Sequence, residues 1–330
     1  MLNNSGKQYF KQMTSLEISY VGAVYHGKRV LITGATGFIG QHLLDAFGGL
    51  AAEVAVVARG EYASSKAQRV FVGDMRDQVF VRQTIRDFTP HYIFHLAGAR
   101  DRVLTREAFG QAIEANLMGA LNLFFAALDV PSLERIVILG TAEEYGGNKA
   151  PFVESMREAP ISAYSFSKQC ATHLTQLMHC SFGLPVVILR PSVAYGPAQR
   201  DDMFLSALIQ TLLRGEEFSM TLGEQTRDYV YVSDLVDALL RAGYCPDVEG
   251  EVINIGSGKP IQIARLVDRV EGLLGCAGLV RRGALEYRTG EPMEYWLDIS
   301  KAKQLLGWMP KTSLDDGLRS TVGWYQDRHG

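Results

Sequence analysis

The chain has 330 residues, 47% hydrophobic and 21% charged, with a net charge of −3. That length fits one large globular domain plus a smaller lobe, and the near-neutral balance argues against a nucleic-acid surface or a polybasic membrane patch. No apolar run reaches the roughly 18 residues that suggest a membrane span.

The N-terminus lacks a charged-then-apolar leader pattern. Cys170, Cys180, Cys245 and Cys276 are widely spaced and show no metal-ligand pattern. We expect reduced thiols, no metal and a cytoplasmic protein.

Residues 1–28 place Tyr9, Phe10, Leu16, Ile18, Tyr20 and Val21 among polar neighbours, which predicts a loosely packed extension with one or two helical turns. From Arg29 the pattern sharpens. "RVLIT" (29–33), "EVAVVA" (53–58), "RVFVGD" (69–74), "YIFHLAG" (92–98), "RIVILGT" (135–141), "PVVILR" (185–190) and "VINIG" (252–256) are apolar and rich in β-branched residues. Helix-length segments separate most of them. The alternation predicts an α/β fold with a parallel sheet covered on both faces. Beyond Pro191 the alternation breaks, with an apolar helix near 203–213. A smaller lobe is expected mainly over 191–330, interleaved with late elements of the first domain. There is no low-complexity segment and no repeat.

"VLITGATGFIG" puts Gly34, Gly37 and Gly40 between the first strand and the helix "FIGQHLLDAF". A glycine triplet there permits a tight turn, a close approach of backbone to pyrophosphate, and close helix–strand packing. The helix start offers free N–H groups and a positive dipole end. The strand–turn–helix context points to dinucleotide binding, and so to a Rossmann-type doubly wound sheet over 29–190. Thr36, Phe38 and Ile39 are candidate cofactor contacts in the same turn.

The end of the second strand reads "VVARG". Ala58 stands where a carboxylate would hold a ribose 2′-hydroxyl, and Arg59 follows. A guanidinium without a repelling acid favours NADP(H) over NAD(H); the other reading has Arg59 stacked on adenine or facing solvent. "GDM" (73–75) offers Asp74 to an adenine amine, or as a helix N-cap, with Met75 beside it. "HLAGAR" (95–100) places the small residues Ala97 and Gly98, after Leu96, where a cofactor can cross the sheet edge. His95 reads as a packed strand-end residue.

"LGTAEEYGG" (139–147) ends the fifth strand, and "YSFSK" (164–168) opens a long helix that stops at Gly183 and Pro185. Tyr164 and Lys168 share one helical face. They form either a surface pair or, with Thr141, a hydride-transfer site. In the second reading Lys168 lowers the Tyr164 pKa and holds the nicotinamide ribose. Tyr164 passes a proton to or from a sugar oxygen, and Thr141 bonds the same oxygen.

With these segments, "GDMRD", "NLMGALNLF" around Asn116, "LRPSVAYGP", "GEQTRDYVYVSDLVDAL" and "DISKAKQLLGWMPKTSLDDGL" follow in order. The chain resembles an extended short-chain dehydrogenase/reductase of the NAD(P)-dependent sugar-nucleotide epimerase/dehydratase family over about residues 28–325. The resemblance implies a Rossmann domain and a small C-terminal lobe that holds a nucleoside-diphosphate sugar. It also implies homodimers, often through a four-helix bundle that includes the Tyr–Lys helix. It assigns Arg227 to the substrate diphosphate and Arg288 to a second nucleotide contact; each could instead form a surface ion pair, with Asp228 or Glu291 adjacent. It sets Pro191 and Ser192 against the nicotinamide.

Two departures stand out. Val193 replaces the family's usual Asn, which commonly helps seat the substrate. Ala142 replaces the acid or hydroxyl that serves a 4,6-dehydratase, whereas Glu143, the counterpart of the base, remains. A missing acid lowers the dehydratase reading. "EEYG" also resembles a segment of 4-keto-6-deoxy sugar-nucleotide reductases. The sequence therefore favours such a reductase, in deoxysugar biosynthesis, over an epimerase or dehydratase. A non-catalytic cofactor-binding sensor is the remaining alternative, opposed by the intact Thr141, Tyr164 and Lys168.

Overall fold

The computed structural model describes residues 15–288 and 290–329. Seven strands form one sheet: β1 (Arg29–Thr33), β2 (Glu53–Ala58), β3 (Arg69–Val72), β4 (Tyr92–His95), β5 (Arg135–Leu139), β6 (Val186–Pro191) and β7 (Val252–Ile255). Their order is β3-β2-β1-β4-β5-β6-β7, and every pairing is parallel. The order reverses between β1 and β4, where open α/β sheets bind ligands beyond the carboxyl ends of the strands.

The apolar strands have a simple cause. Val30 and Ile32 enter one core and Leu31 enters the other, so both faces of β1 are covered. Helices α1 (Ser15–Tyr25) and α2 (Phe38–Phe47) cover the first face; α3 (Gln78–Phe88) and, beyond α4 (Arg106–Ala112), α5 (Gly119–Ala127) cover the second. A π-helical turn, Ile113–Met118, links α4 to α5. Helix α6 (Ala163–Phe182) starts at the cap Ser162, whose hydroxyl accepts from Ser165 N, and ends at Gly183 with φ 68°.

After β6 the chain serves two cores. Helices α7 (Phe204–Leu213), α9 (Ile263–Leu274) and α11 (Leu314–His329) pack around Tyr195 and Tyr229 in a separate cluster. Helix α8 (Val232–Tyr244), β7, α10 (Ser300–Leu306) and Trp308 return to the large core. A short parallel pair, Val193–Tyr195 with Tyr229–Tyr231, lies between them.

Several local expectations are corrected. Strands expected to reach Asp74, Gly98 and Thr141 stop at Val72, His95 and Leu139, because the residues beyond form the loops of the site. Asp77, not Asp74, caps α3: its side chain accepts from Val79 N and Phe80 N. The described part of the N-terminal segment is not loosely packed. Val21 and Tyr25 are fully buried, and the Tyr25 hydroxyl donates to Leu240 O at 2.8 Å. Tyr9 and Phe10 lie outside the described residues.

Candidate active site

The glycine turn sits at the reversal of strand order. Gly34 has φ 75°, and a Cβ there would come within 2.6 Å of Ala97 N. A Cβ on Gly40 would meet Gly34 O at 2.2 Å, so α2 packs directly on the turn. Gly37 is the N-cap of α2 and supplies no side chain to its free N–H groups. Those groups stay available to an anion. Thr36 is exposed, while Phe38 and Ile39 are half-buried. Leu96 N donates to Thr33 O at 3.1 Å, which fixes the β4 loop beside the turn. Gly98 faces Asn116: a Cβ would lie 2.5 Å from Asn116 Oδ1 and 3.5 Å from Lys168 Nζ. The protein's own atoms therefore fill the space that a side chain at Gly34, Gly40 or Gly98 would need.

At the outer end, Arg59 is exposed at the tip of β2. Asp74 accepts from Arg76 N at 2.9 Å and from Arg76 Nη2 at 2.9 Å. Those bonds, with Arg59 adding to them, hold its carboxyl below the usual range. Asp74 is therefore engaged by Arg76. Met75 is buried, and its carbonyl accepts from Asn122 Nδ2 at 3.0 Å.

Thr141, Tyr164 and Lys168 converge at the carboxyl ends of β4 and β5. Thr141 is buried and caps a single 3₁₀ turn, Ala142–Glu144, accepting from Glu143 N at 3.2 Å. Lys168 is buried, and its Nζ donates to Leu139 O at 2.7 Å. Burial pulls the Lys168 ammonium down to about 8, with Glu144 opposing the shift. His95, at the end of β4, is buried, with Nδ1 2.8 Å from Thr33 Oγ1. Burial, with the Lys168 charge adding, pulls it down to about 3. His95 is thus a neutral packed residue.

The expected electrostatics of Tyr164 need correction. Burial, then the Glu143 charge, push its phenol above the ordinary value; Arg102 and a hydrogen bond with Thr141 pull it down. The cation acting on the phenol is Arg102, because the Lys168 ammonium is turned to a backbone carbonyl. Arg102 Cζ stands 5.6 Å from the Tyr164 ring centroid. Its Nε and Nη2 donate to Glu143 Oε2 at 3.0 Å and Oε1 at 2.5 Å. Ala142 is fully buried in an apolar cluster with Tyr145, Phe152, Tyr295 and Leu297.

Arg227 pairs with Glu291 and also donates to Pro292 O at 2.8 Å. Its Cζ lies 5.6 Å from the Tyr295 ring centroid. Asp228 takes no part in this pair; it is buried and accepts from Ser257 N at 2.7 Å. The Arg288 side chain is exposed, and its backbone carbonyl accepts from Glu291 N at 3.0 Å. Val193 N donates to Asp228 O at 3.0 Å, and its side chain packs between two clusters. Pro191 ends β6, and Ser192 Oγ is buried with no hydrogen-bond partner among the described residues. A Cβ on Gly256 would lie 3.2 Å from that oxygen.

Residues 30–256 match the family model described as NAD dependent epimerase/dehydratase family. The chain belongs to that family. A UDP-glucuronate 4-epimerase from Thermodesulfobacterium geofontis is 31% identical over 242 residues, covering 71% of this chain and 72% of that protein. A dTDP-glucose 4,6-dehydratase from Xanthomonas campestris pv. campestris is 29% identical over 324 residues, covering 89% and 92%. The structure of UDP-glucuronic acid 4-epimerase from Bacillus cereus, in complex with UDP-glucuronic acid and NAD, superposes with a TM-score of 0.83 at 28% identity, covering 91% of this chain and 99% of that one.

Within this epimerase/dehydratase frame, three residues near the reacting groups escaped the sequence reading. Arg102 lies two residues beyond "HLAGAR", where the small residues Ala97 and Gly98 carry the signal. Glu144 lies beside Glu143 but is fully buried. Tyr295 is also buried; burial, with Glu143 and Tyr164 adding, pushes its phenol well up, so it faces the site from the other lobe. Only tertiary packing brings Tyr295 there. The signal for Arg102 and Glu144 was their nearness to the "HLAG" and "GTAEEYG" segments.

Proposed function

We propose that this protein is a 4-epimerase of a nucleoside-diphosphate sugar, with Thr141, Tyr164 and Lys168 as its working groups. The observation that carries the reading is the Thr141–Tyr164–Lys168 cluster beside the glycine turn, Thr141 and Lys168 buried and Tyr164 half-buried, with the fully buried methyl group of Ala142 next to Thr141. When bound, the nicotinamide would take up a hydride and return it. The chain's own groups manage the proton and the orientation. The Tyr164 phenol exchanges a proton with the sugar C4 oxygen, and Thr141 donates to or accepts from the same oxygen. Lys168 holds the nicotinamide ribose. Arg227 meets the diphosphate once it parts from Glu291, and Arg288 borders the nucleotide.

The reductase favoured from sequence gives way here. The relatives and structural neighbours include epimerases, dehydratases and decarboxylases, and an epimerase needs no acid at position 142. Glu143 is held bidentately by Arg102, which argues against a free dehydratase base. For the cofactor, the family is NAD dependent. The absence of a carboxylate at Ala58, with Arg59 and Arg76 around Asp74, supports NADP(H) as the preferred form. A homodimer is part of the proposal: Phe166, Leu177 and Phe182 on α6, Phe125 on α5 and Leu128 at its C-cap are exposed apolar residues suited to a second copy.

The test is a panel of UDP- and dTDP-sugars followed by NMR, with wild type and Tyr164→Phe. We expect C4 inversion without net change in cofactor absorbance, and loss of turnover in the variant. Net cofactor oxidation by a 4-keto-6-deoxy sugar nucleotide would assign a reductase. A dehydrated 4-keto product would assign a dehydratase. Cofactor binding with no turnover on any sugar would leave a sensor.

A further inference from the structure

One fully buried carboxylate beside the site is not used by that chemistry. Glu144 Oε1 accepts from Thr141 N at 2.9 Å. Its Oε2 accepts from Thr172 Oγ1 at 2.8 Å and from Arg190 Nε at 2.9 Å. Arg190 is itself fully buried and reaches Glu158 Oε1 at 2.6 Å. One carboxylate therefore joins the loop after β5, the face of α6 and strand β6. Thr172 is one helical turn beyond Lys168 on the same face. Gly140 has no room for a side chain, because a Cβ would sit 2.7 Å from Glu144 Oε1.

We propose that Glu144 is a positioning residue: it ties the Thr141 loop to the helix that carries Tyr164 and Lys168, and so fixes the hydroxyl against the phenol. This rests on the reading of Thr141, Tyr164 and Lys168 given above. A buried ion pair is a poor way to add stability, since desolvation offsets most of the attraction. Its value lies in geometry, because it satisfies a specific set of donors only when loop, helix and strand are in one arrangement. The neighbouring Glu143 points the other way, to Arg102 in the open site. Two adjacent glutamates thus have separate tasks.

The groups facing Tyr164 and Lys168 are His95 from β4, Arg102 from the following loop, Glu143 and Glu144 from the β5 loop, and Tyr295 from the C-terminal lobe. The Glu144 charge raises both Tyr164 and Lys168. Glu144→Gln keeps the shape and removes the charge. It should lower kcat about 10- to 100-fold and leave KM for the nucleotide sugar within about twofold. The kcat–pH profile should move to lower pH by about half a unit or more. Thr172→Val removes one hydrogen bond and keeps the ion pair, so it should fold and lower kcat about three- to tenfold. Wild-type kcat and pH profile in a folded Glu144→Gln would overturn the proposal. If that variant does not fold, wild-type kcat in Thr172→Val would overturn it. Tyr164→Phe separates the two claims: full turnover there removes the catalytic reading whatever Glu144 does, whereas a dead Tyr164→Phe beside an unaffected Glu144→Gln removes only the positioning role.

Discussion

Arg102 and Glu143 form a bidentate ion pair beside the ring of Tyr164, with the guanidinium carbon 5.6 Å from the ring centroid. Glu143 pushes the phenol up and Arg102 pulls it down, so the two charges act on the phenol in opposite directions. Arg102→Ala leaves the carboxylate alone beside the phenol. We expect kcat to fall about 10- to 100-fold, with Arg102→Lys recovering part of it. Steady-state kinetics on the epimerised sugar checks this; unchanged kcat in Arg102→Ala would show that the pair only fills space.

Lys168 sets a pH limit. Burial brings its ammonium to about 8, so the charged form is lost as pH rises through that value. We expect kcat to fall above about pH 8, well below the ordinary lysine range. The stability sign is the reverse. Between about 8 and the unfolded value of roughly 10.4, the unfolded chain binds the extra proton, so this group's contribution to stability rises with pH. Below that window the buried charge is a fixed cost, and Lys168→Met should unfold at higher denaturant while losing activity. A gain of about 1–3 kcal/mol at pH 7 is expected. Lower stability of Lys168→Met would contradict this.

Arg59 tests the choice of dinucleotide. With no acid at Ala58 to repel a 2′-phosphate, NADP(H) should bind more tightly than NAD(H) in a fluorescence titration. Arg59→Ala should weaken NADP(H) about tenfold or more and change NAD(H) little. Tighter NAD(H) binding by the unaltered protein would refute the assignment.

Tyr25 tests the N-terminal helix. Its hydroxyl bonds Leu240 O, and its ring packs edge-on to Phe47 and Tyr92 at centroid distances of 5.1 and 4.9 Å. Tyr25→Phe keeps the ring and removes the bond. A loss of about 1 kcal/mol with unchanged kcat is expected from denaturation and turnover measured together.

Much of this was legible because local rules and tertiary demands agree. Strands buried on both faces must be apolar throughout, and a tight strand–turn–helix junction leaves little choice at Gly34 and Gly40. The spacing of Tyr164 and Lys168 is read directly from helical periodicity. What escaped reading depends on distant partners. The buried face of the N-terminal helix is set by α8, more than 200 residues away, where Tyr25 finds Leu240. Nothing in "ARDRV" says that Arg102 turns to Glu143 rather than to solvent. Nor does "TAEEYG" say which of its two glutamates enters the core. Strand ends were misplaced for a related reason: the small apolar residues that continue β4 look like strand but form the rim of the site.

The most direct measurement follows a single hydrogen. A nucleoside-diphosphate sugar carrying deuterium at C4 is incubated with the protein, and the C4-inverted product is analysed by NMR and mass spectrometry. Our account predicts an inverted product that keeps its deuterium at C4, with this conversion abolished in Tyr164→Phe. An inverted product carrying solvent hydrogen at C4, or a dehydrated product in place of an epimer, would contradict it.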